Sequence, residues 1–195
     1  MASHLPPEIL TRKKIVIIAG MIIVAIAYFF DVYSSRVATS GFSSTTPQII
    51  GTYYHVTKVV DGDTLHIDMD GHNERVRLIG INTPETVDPR RQVECYGKEA
   101  SQRMKEIANG KLVRLEYDES QSTRDAYGRL LAYIYLEDGQ MLNRKMIAEG
   151  YAYEYTYLTP YRYQKEFRQL QTLAQGAKRG LWADDTCNGS KKSAN

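Results

Sequence analysis

Short runs of residues with strand character, most of them ended by an Asp-Gly pair, punctuate the chain from residue 52 onward. Apolar and polar positions alternate along them, and they are rich in β-branched and aromatic residues, which is typical of half-buried strands. The runs are Tyr53–Val60, Thr64–Met69, Arg75–Ile81, Lys111–Tyr117 and Arg129–Leu136. Asp-Gly pairs follow the first, second and fifth runs and supply the residues that tight turns require. The sequence therefore predicts five strands.

A helix separates the third predicted strand from the fourth. Apolar residues recur at helical spacing over Tyr96–Ala108, and Asn109-Gly110 ends the pattern. A short helix over Leu142–Glu149 and a last helix from Pro160 to about Ala177 follow the fifth strand. Three strands, a helix and two strands fit a five-stranded Greek-key barrel of the OB type. We therefore predict an α+β fold, a five-stranded OB-type β-barrel with about three helices.

The N-terminal residues have the pattern of a membrane segment. Arg12-Lys13-Lys14 precede an uninterrupted apolar run over Ile15–Phe30. As a helix that run is roughly 24 Å long, and extending it to Tyr33 brings it close to the ~30 Å hydrocarbon core of a bilayer. We predict a cytoplasmic N-terminus over residues 1–14 and a transmembrane helix over residues 15–33. Residues 34–51 are rich in Ser, Thr and Gly, which predicts a flexible linker.

Two other interpretations of the apolar run remain open. A cleavable signal peptide fits Ala25-Ile26-Ala27, but this pattern lies inside the run, and the run exceeds the usual signal core of ~7–15 residues. A buried helix of a soluble protein is the third interpretation. The transmembrane helix and the signal peptide both place the domain predicted over residues 52–187 on the extracytoplasmic side. The helix would anchor the domain by a single span, and the signal peptide would leave it secreted. Residues 188–195 are expected to form a disordered tail.

The chain contains two cysteines, Cys95 and Cys187. Disulfides persist in the compartments that an exported domain enters. We therefore predict a disulfide that ties the start of the first domain helix to the chain end just past Trp182. The alternative is two unrelated thiols; neither cysteine neighbours a histidine in a nucleophile-like arrangement.

The charged residues at the strand ends are of the types that phosphodiester hydrolysis requires. The formal net charge of +2 does not indicate a protein that coats polyanions, so any binding of nucleic acid depends on local charge. Asp61 and Asp63 flank a glycine, a pattern that alone indicates only a turn. Arg77 lies inside an apolar strand, and burying a guanidinium without an anionic partner is costly. Phosphodiester hydrolysis needs carboxylates that hold a cation, a base that activates water, and arginines that meet the charge on the phosphate. The presence of all three in one domain predicts an enzyme that acts on nucleic acid.

Several motifs follow one another in a defined order along the domain. They are Val60-Asp61-Gly62-Asp63-Thr64, Arg77-Leu78-Ile79-Gly80-Ile81-Asn82-Thr83-Pro84-Glu85-Thr86, Tyr96-Gly97-Lys98-Glu99-Ala100, Asp125-Ala126-Tyr127-Gly128-Arg129 with Leu131-Ala132-Tyr133-Ile134-Tyr135, and Gly180-Leu181-Trp182. In this order they closely resemble the thermonuclease (staphylococcal nuclease-like) family, from about Tyr53 to Trp182.

The resemblance implies a calcium-dependent endonuclease that acts on DNA and RNA and leaves 3′-phosphates. It implies calcium ligands at Asp63, Asn82 and the carbonyl of Thr83. It implies that Glu85 activates the attacking water and that Arg77 and Arg129 bind the reacting phosphate. Tyr127, Tyr155 and Tyr157 match tyrosines of the nucleotide site.

Two residues depart from the pattern of the family. Asn82 stands where the archetypal member has a second metal-binding aspartate, so we expect weaker calcium binding, because ligand charge tunes affinity. Ala126 replaces a lysine beside the nucleotide phosphate. The alternative function is a catalytically weak or inactive OB-fold module that binds nucleic acid while tethered to the membrane. In either case we expect a monomer whose N-terminal helix contacts the membrane.

Overall fold

The computed structural model describes residues 51–86 and 92–190. Its main strands are β1 (Tyr53–Val59), β2 (Thr64–Met69), β3 (His72–Leu78), β5 (Leu112–Glu116) and β6 (Leu130–Leu136), and two short strands are β4 (Ile81–Asn82) and β7 (Tyr153–Glu154). The helices are α1 (Gly97–Ala108), α2 (Leu142–Ala148) and α3 (Gln164–Gly176), followed by a 3-10 turn over Gly180–Trp182.

The five long strands close into a barrel in the order β1-β2-β3-β6-β5. Neighbouring strands pair antiparallel except β3 and β6, which run parallel, and β5 returns to pair with β1. This arrangement confirms the predicted five-stranded barrel with three helices. The barrel interior and the helix faces against it form one apolar core, whose members include Val56, Leu65, Ile67, Val76, Met104, Val113, Ile134, Leu142 and Phe167.

The third strand ends earlier than the sequence predicts. It stops at Leu78, and Gly80 adopts a left-handed backbone angle of 77° before the short strand β4 begins. The ring of Tyr161 lies 2.5 Å from the position that a Cβ at Gly80 would take, and the Tyr161 hydroxyl donates to the Gly80 carbonyl at 3.2 Å. The break frees β4 to pair with β7, so Asn82 lies opposite Tyr153.

The last helix also differs from the prediction. It begins at Gln164 and not at Pro160. The backbone N–H of Arg162 donates instead to the buried carboxylate of Asp118 at 2.7 Å. That bond holds the chain in a turn before α3.

The described residues include no helix with the length and apolar character of a membrane span. The predicted transmembrane helix over residues 15–33 lies outside the described residues, as do the cytoplasmic N-terminus, the linker up to residue 50 and the tail from residue 191.

Candidate active site

Asp63 joins three parts of the fold through its buried carboxylate. It stands directly before β2, and its Oδ1 lies 3.1 Å from Nε of Arg77 on β3. Its Oδ2 accepts hydrogen bonds from the backbone N–H of Thr83 at 2.8 Å and from the Thr83 hydroxyl at 3.0 Å. The Thr64 hydroxyl donates to Oδ1 at 3.0 Å. The carboxylate therefore fixes the end of β4 against β2 and β3.

Arg77 has the anionic partner that its place in an apolar strand requires. Only 12% of its side chain is exposed. Besides its ion pair with Asp63, its Nη1 donates to the Leu78 carbonyl at 2.6 Å, and its Nη2 lies 3.4 Å from the side-chain oxygen of Asn82. Asp63, Arg77, Asn82 and Thr83 therefore form one connected polar cluster, which we call the Asp63 cluster.

Asp61 belongs next to this cluster, although its sequence pattern indicates only a turn. Its Oδ1 accepts the backbone N–H of Asp63 at 3.0 Å. Burial and the neighbouring charge of Asp63 raise the pKa of Asp61 to about 7. Gly62, between the two, permits close packing, since a Cβ there would lie 2.6 Å from Cγ2 of Thr83. In the sequence, the only sign that Asp61 lies next to the cluster is that Asp61 and Asp63 are carboxylates on either side of a single glycine.

The oxygen atoms of the cluster fit a hard divalent cation. The described residues contain no group of three or more His, Cys, Asp or Glu side chains that could hold a metal. Calcium, however, also accepts amide and backbone carbonyl oxygens. Asn82, whose side-chain oxygen lies against Arg77, and Thr83, whose N–H and hydroxyl bind Asp63, each carry such an oxygen. The Asp63 carboxylate already accepts three hydrogen bonds and pairs with Arg77. These four contacts occupy all of the ~4 lone-pair sites of a carboxylate. A cation at Asp63 must replace one of these contacts, and the hydroxyls of Thr64 and Thr83 can rotate away.

Glu85 follows the cluster in the same loop and is held by a second acidic residue. Its backbone N–H donates to Oε2 of Glu94 at 3.1 Å, and the backbone N–H of Glu94 donates to the Glu85 carbonyl at 2.9 Å. The carboxylate of Glu85 accepts the backbone N–H of Thr86 at 2.9 Å through Oε1. No pattern in the sequence indicates the contact between Glu85 and Glu94.

Arg129 is held by Asp125, a residue of the motif Asp125–Arg129 for which the sequence indicates no separate role. Asp125 accepts Nε of Arg129 at 2.7 Å and the backbone N–H groups of Tyr127 and Arg129 at 2.9 and 3.0 Å. Burial alone would raise the pKa of Asp125, but these bonds outweigh it and lower that pKa. Arg77 pairs with Leu131 of the parallel neighbour β6, so Arg129 stands directly before the start of the strand next to Arg77.

The three tyrosines assigned to the nucleotide site are all exposed. Tyr127 is 78% exposed, Tyr155 42% and Tyr157 75%. The Tyr127 ring centroid lies 5.4 Å from the guanidinium carbon of Arg129. The Tyr155 backbone N–H donates to Gly80 at 3.0 Å, beside the β4–β7 pair, and the Tyr155 and Tyr157 rings are 6.4 Å apart. Flat rings free of core packing suit the stacking of bases.

The predicted disulfide between Cys95 and Cys187 is present. The two Cα atoms lie 5.9 Å apart across a sequence separation of 92 residues. It connects the residue after Glu94 to the chain end, and Cys187 itself is buried.

Comparison with known proteins identifies the family of this chain. A family model described as staphylococcal nuclease homologue matches residues 75–184. The thermonuclease of Staphylococcus hyicus is 38% identical over 175 residues, which cover 90% of this chain and 98% of that protein. The thermonuclease of Staphylococcus intermedius is 41% identical over 170 residues, or 87% of this chain and 98% of that protein. Endonuclease YncB of Bacillus subtilis (strain 168) is 37% identical over 127 residues, 65% of this chain and 59% of that protein. The chain therefore belongs to the staphylococcal nuclease homologue family.

Proposed function

We propose that this nuclease is a calcium-dependent endonuclease that hydrolyses phosphodiester bonds of DNA and RNA and leaves 3′-phosphate ends. The observation that carries the proposal is the Asp63 cluster, in which a buried carboxylate, an arginine and amide and hydroxyl oxygens meet at the ends of three strands. A barrel that only packed its core would not need this set beside the exposed tyrosines.

Asp63, the side-chain oxygen of Asn82 and the carbonyl of Thr83 would hold the calcium ion. When bound, the ion polarises the phosphate and neutralises part of its charge. Asn82 leaves the site with one negative charge fewer than an aspartate would, which lowers affinity. A millimolar calcium supply is typical of extracellular sites of this kind.

Glu85 serves as the general base in this proposal. It takes a proton from a water molecule whose oxygen bonds to phosphorus while the bond from phosphorus to the 5′-oxygen breaks. The leaving 5′-oxygen takes up a proton from the solvent, and the phosphate remains on the 3′-oxygen. Glu85 is suited to the role because it lies two residues beyond Thr83, on a loop whose backbone is held at both ends.

Arg77 and Arg129 meet the negative charge that grows on the phosphate oxygens. A guanidinium matches phosphate with two parallel hydrogen bonds, which an ammonium cannot do. Asp125 engages Nε of Arg129, and within the described residues no partner occupies its two Nη atoms. These donors are therefore pre-oriented and available to the substrate.

The test is digestion of single- and double-stranded DNA and of RNA by the wild type and by Glu85→Gln, with calcium and with EDTA. We expect Glu85→Gln to lose at least about 100-fold in kcat while keeping its affinity for nucleic acid. Glu137→Gln, an exposed carboxylate after β6, is the matched control and should keep full activity. End-group analysis should show 3′-phosphates. Undiminished turnover by Glu85→Gln removes this residue from the role of general base. If the wild type binds nucleic acid but does not cleave it with calcium or with EDTA, the result supports the binding-module alternative.

We also propose that the enzyme acts as a monomer on the extracytoplasmic side of a membrane, anchored by residues 15–33. The disulfide supports export, because such bonds persist in oxidising compartments. The Asp63 cluster supports the monomer, since one chain supplies all of it. Protease accessibility in intact cells and N-terminal sequencing of the mature protein test the anchor. A soluble product that begins after residue 27 would establish signal cleavage instead.

A further inference from the structure

The loop that carries Glu85 (residues 83–86, the base loop) is fastened to the start of α1 by a reciprocal pair of hydrogen bonds. Glu94 receives the Glu85 N–H through Oε2 at 3.1 Å and returns its own N–H to the Glu85 carbonyl at 2.9 Å. The Glu94 carbonyl also accepts the N–H of Gly97 at 3.1 Å, which links the pair to the first turn of the helix. The backbone of Glu85 thus has a fixed partner on a rigid element.

The start of α1 lies against the base loop at a distance that only glycine permits. A Cβ at Gly97 would lie 2.6 Å from Cγ2 of Thr86 and 3.1 Å from the carbonyl oxygens of Pro84 and Glu85. Tyr96, directly before, has a left-handed φ of 67°, an unfavourable angle for a side chain of its size. Such strain persists only where the surrounding contacts impose it, and it concentrates at functional sites.

Two contacts surround this turn: the Tyr96 ring stacks on Tyr151 with 5.5 Å between centroids, and the neighbouring Cys95 is in the disulfide. Cys95, between Glu94 and the strained Tyr96, is bonded to Cys187 in the C-terminal segment (residues 180–190). That segment has a second connection to the site. The ring of Trp182 packs edge-to-face on Tyr153 with 5.2 Å between centroids, and Tyr153 is the strand partner of Asn82. The C-terminal segment therefore supports both the Asn82 strand and, through Cys95 and Glu94, the base loop.

We propose that Glu94 and the Cys95–Cys187 disulfide are positioning elements for Glu85: they hold the base loop in its catalytic geometry, so that the oxidised enzyme is the fully active form. The inference rests on the proposed role of Glu85. Neither Glu94 nor the disulfide touches the substrate. A misplacement of ~1 Å of a catalytic group can cost about 100-fold in rate, so loosening this support should affect turnover far more than substrate binding.

If the disulfide has only a structural role, its removal has a different effect. Removal would lower the free energy of unfolding without altering kcat of molecules that are still folded. The two possibilities are separated by kinetics under conditions where all variants remain folded, as shown by circular dichroism.

The experiment compares the wild type with a Cys95→Ala/Cys187→Ala double variant, with Glu94→Ala and with Glu94→Gln, each also in the Glu85→Gln background. We expect the double variant and Glu94→Ala to lose about 10- to 100-fold in kcat with KM changed less than about twofold. Glu94→Gln keeps a side-chain oxygen for the Glu85 N–H and should recover most of the rate. In the Glu85→Gln background none of these changes should reduce kcat further, because they act through Glu85.

Hydrogen exchange supplies a readout independent of activity. The amide of Glu85 should be protected in the oxidised protein and lose protection after reduction by dithiothreitol and in Glu94→Ala. Lys178→Ala is the matched control, because it breaks an exposed ion pair with Asp184 near the same chain end and leaves the disulfide intact.

Unchanged kcat in the double variant and Glu94→Ala would overturn the inference, as would losses of kcat that persist undiminished in the Glu85→Gln background. Either result leaves the proposed function standing if Glu85→Gln itself is inactive. An active Glu85→Gln would instead remove Glu85 from the role of general base, on which this inference rests.

Discussion

At the scale of single residues, the site depends on charges that are removed from water and paired. The exposed side-chain fractions of Arg77 and Asp63 are 12% and 8%, so each charge needs the other. Such a pair adds little stability compared with apolar residues of the same shape, but removal of one partner leaves an uncompensated buried charge. Its retention in the barrel wall is therefore better explained by chemistry than by stability.

Substitution of Asp63 by Asn tests this pairing without any assumption about catalysis. The amide keeps the size of the side chain but removes the charge opposite Arg77. We expect a loss of about 3 kcal/mol in the free energy of unfolding, measured by urea denaturation in EDTA. Glu74→Gln breaks the exposed pair with Arg124 and should cost less than about 1 kcal/mol. Equal effects of the two substitutions would contradict the assignment of Asp63 as a buried partner.

Asn82→Asp tests the proposed cation site. The substitution adds a negative charge next to Asp63 and should tighten calcium binding by about tenfold, measured by isothermal titration calorimetry. Part of the gain is offset because the new carboxylate also pairs with Arg77, whose Nη2 lies 3.4 Å from the Asn82 side-chain oxygen. Asp138→Asn, at an exposed turn, should leave the affinity unchanged. An affinity that does not respond to the charge at residue 82 would place the cation elsewhere.

At the scale of elements, the strands and helices are positioned by loop residues that accept several hydrogen bonds. Asp118, at the exit of β5, accepts the Tyr133 hydroxyl at 2.6 Å, the Arg162 N–H at 2.7 Å and both the N–H and hydroxyl of Ser120. It ties β6 to the turn before α3. Burial would raise the pKa of Asp118, but these bonds outweigh it and lower the pKa to about 2.

This lowered pKa predicts how stability depends on pH. Between about pH 4 and pH 2 the unfolded chain binds a proton at Asp118 that the folded chain does not, so stability falls as the pH falls through this range. At neutral pH the carboxylate contributes about 2 kcal/mol to the free energy of unfolding. Asp118→Asn should remove that contribution at pH 7 and have little effect near pH 2. The difference in unfolding free energy between the two proteins, measured across this range, should therefore vanish at acid pH, and a constant difference would contradict the assignment.

At the scale of the whole molecule, the disulfide is the longest-range covalent constraint. It closes a loop with a sequence separation of 92 residues. Removal of such a bond typically costs about 2–5 kcal/mol. We expect dithiothreitol to lower the free energy of unfolding by this amount, measured by urea denaturation, and to have no effect on the Cys95→Ala/Cys187→Ala variant. An equal effect of dithiothreitol on that variant would show that it acts by another route.

The boundaries of the strands and helices differ in how well they can be predicted from the sequence. Strand patterns are local, because side chains alternate every second residue, and the Asp-Gly pairs mark the turns, so β2 was predicted with its observed bounds. The end of β3 was not, because it depends on Tyr161, which is 81 residues from Gly80 in sequence. The start of α3 was missed for the same reason, since Asp118 lies 44 residues before Arg162.

The sequence by itself determined the order of strands and helices, because periodicity and turn chemistry are properties of neighbouring residues, and the order of its motifs supplied the candidate residues of the site. It left two unrelated thiols as the alternative to the disulfide, which the structure shows. Only the tertiary structure decided that Arg77 and Thr83 meet at Asp63 and that Glu94 holds Glu85. These contacts join residues that are not neighbours in the sequence, so they depend on chain segments approaching across turns and strand boundaries. Such approach is set by the packing of the whole barrel and by the hydrogen bonds that buried polar groups must find within it.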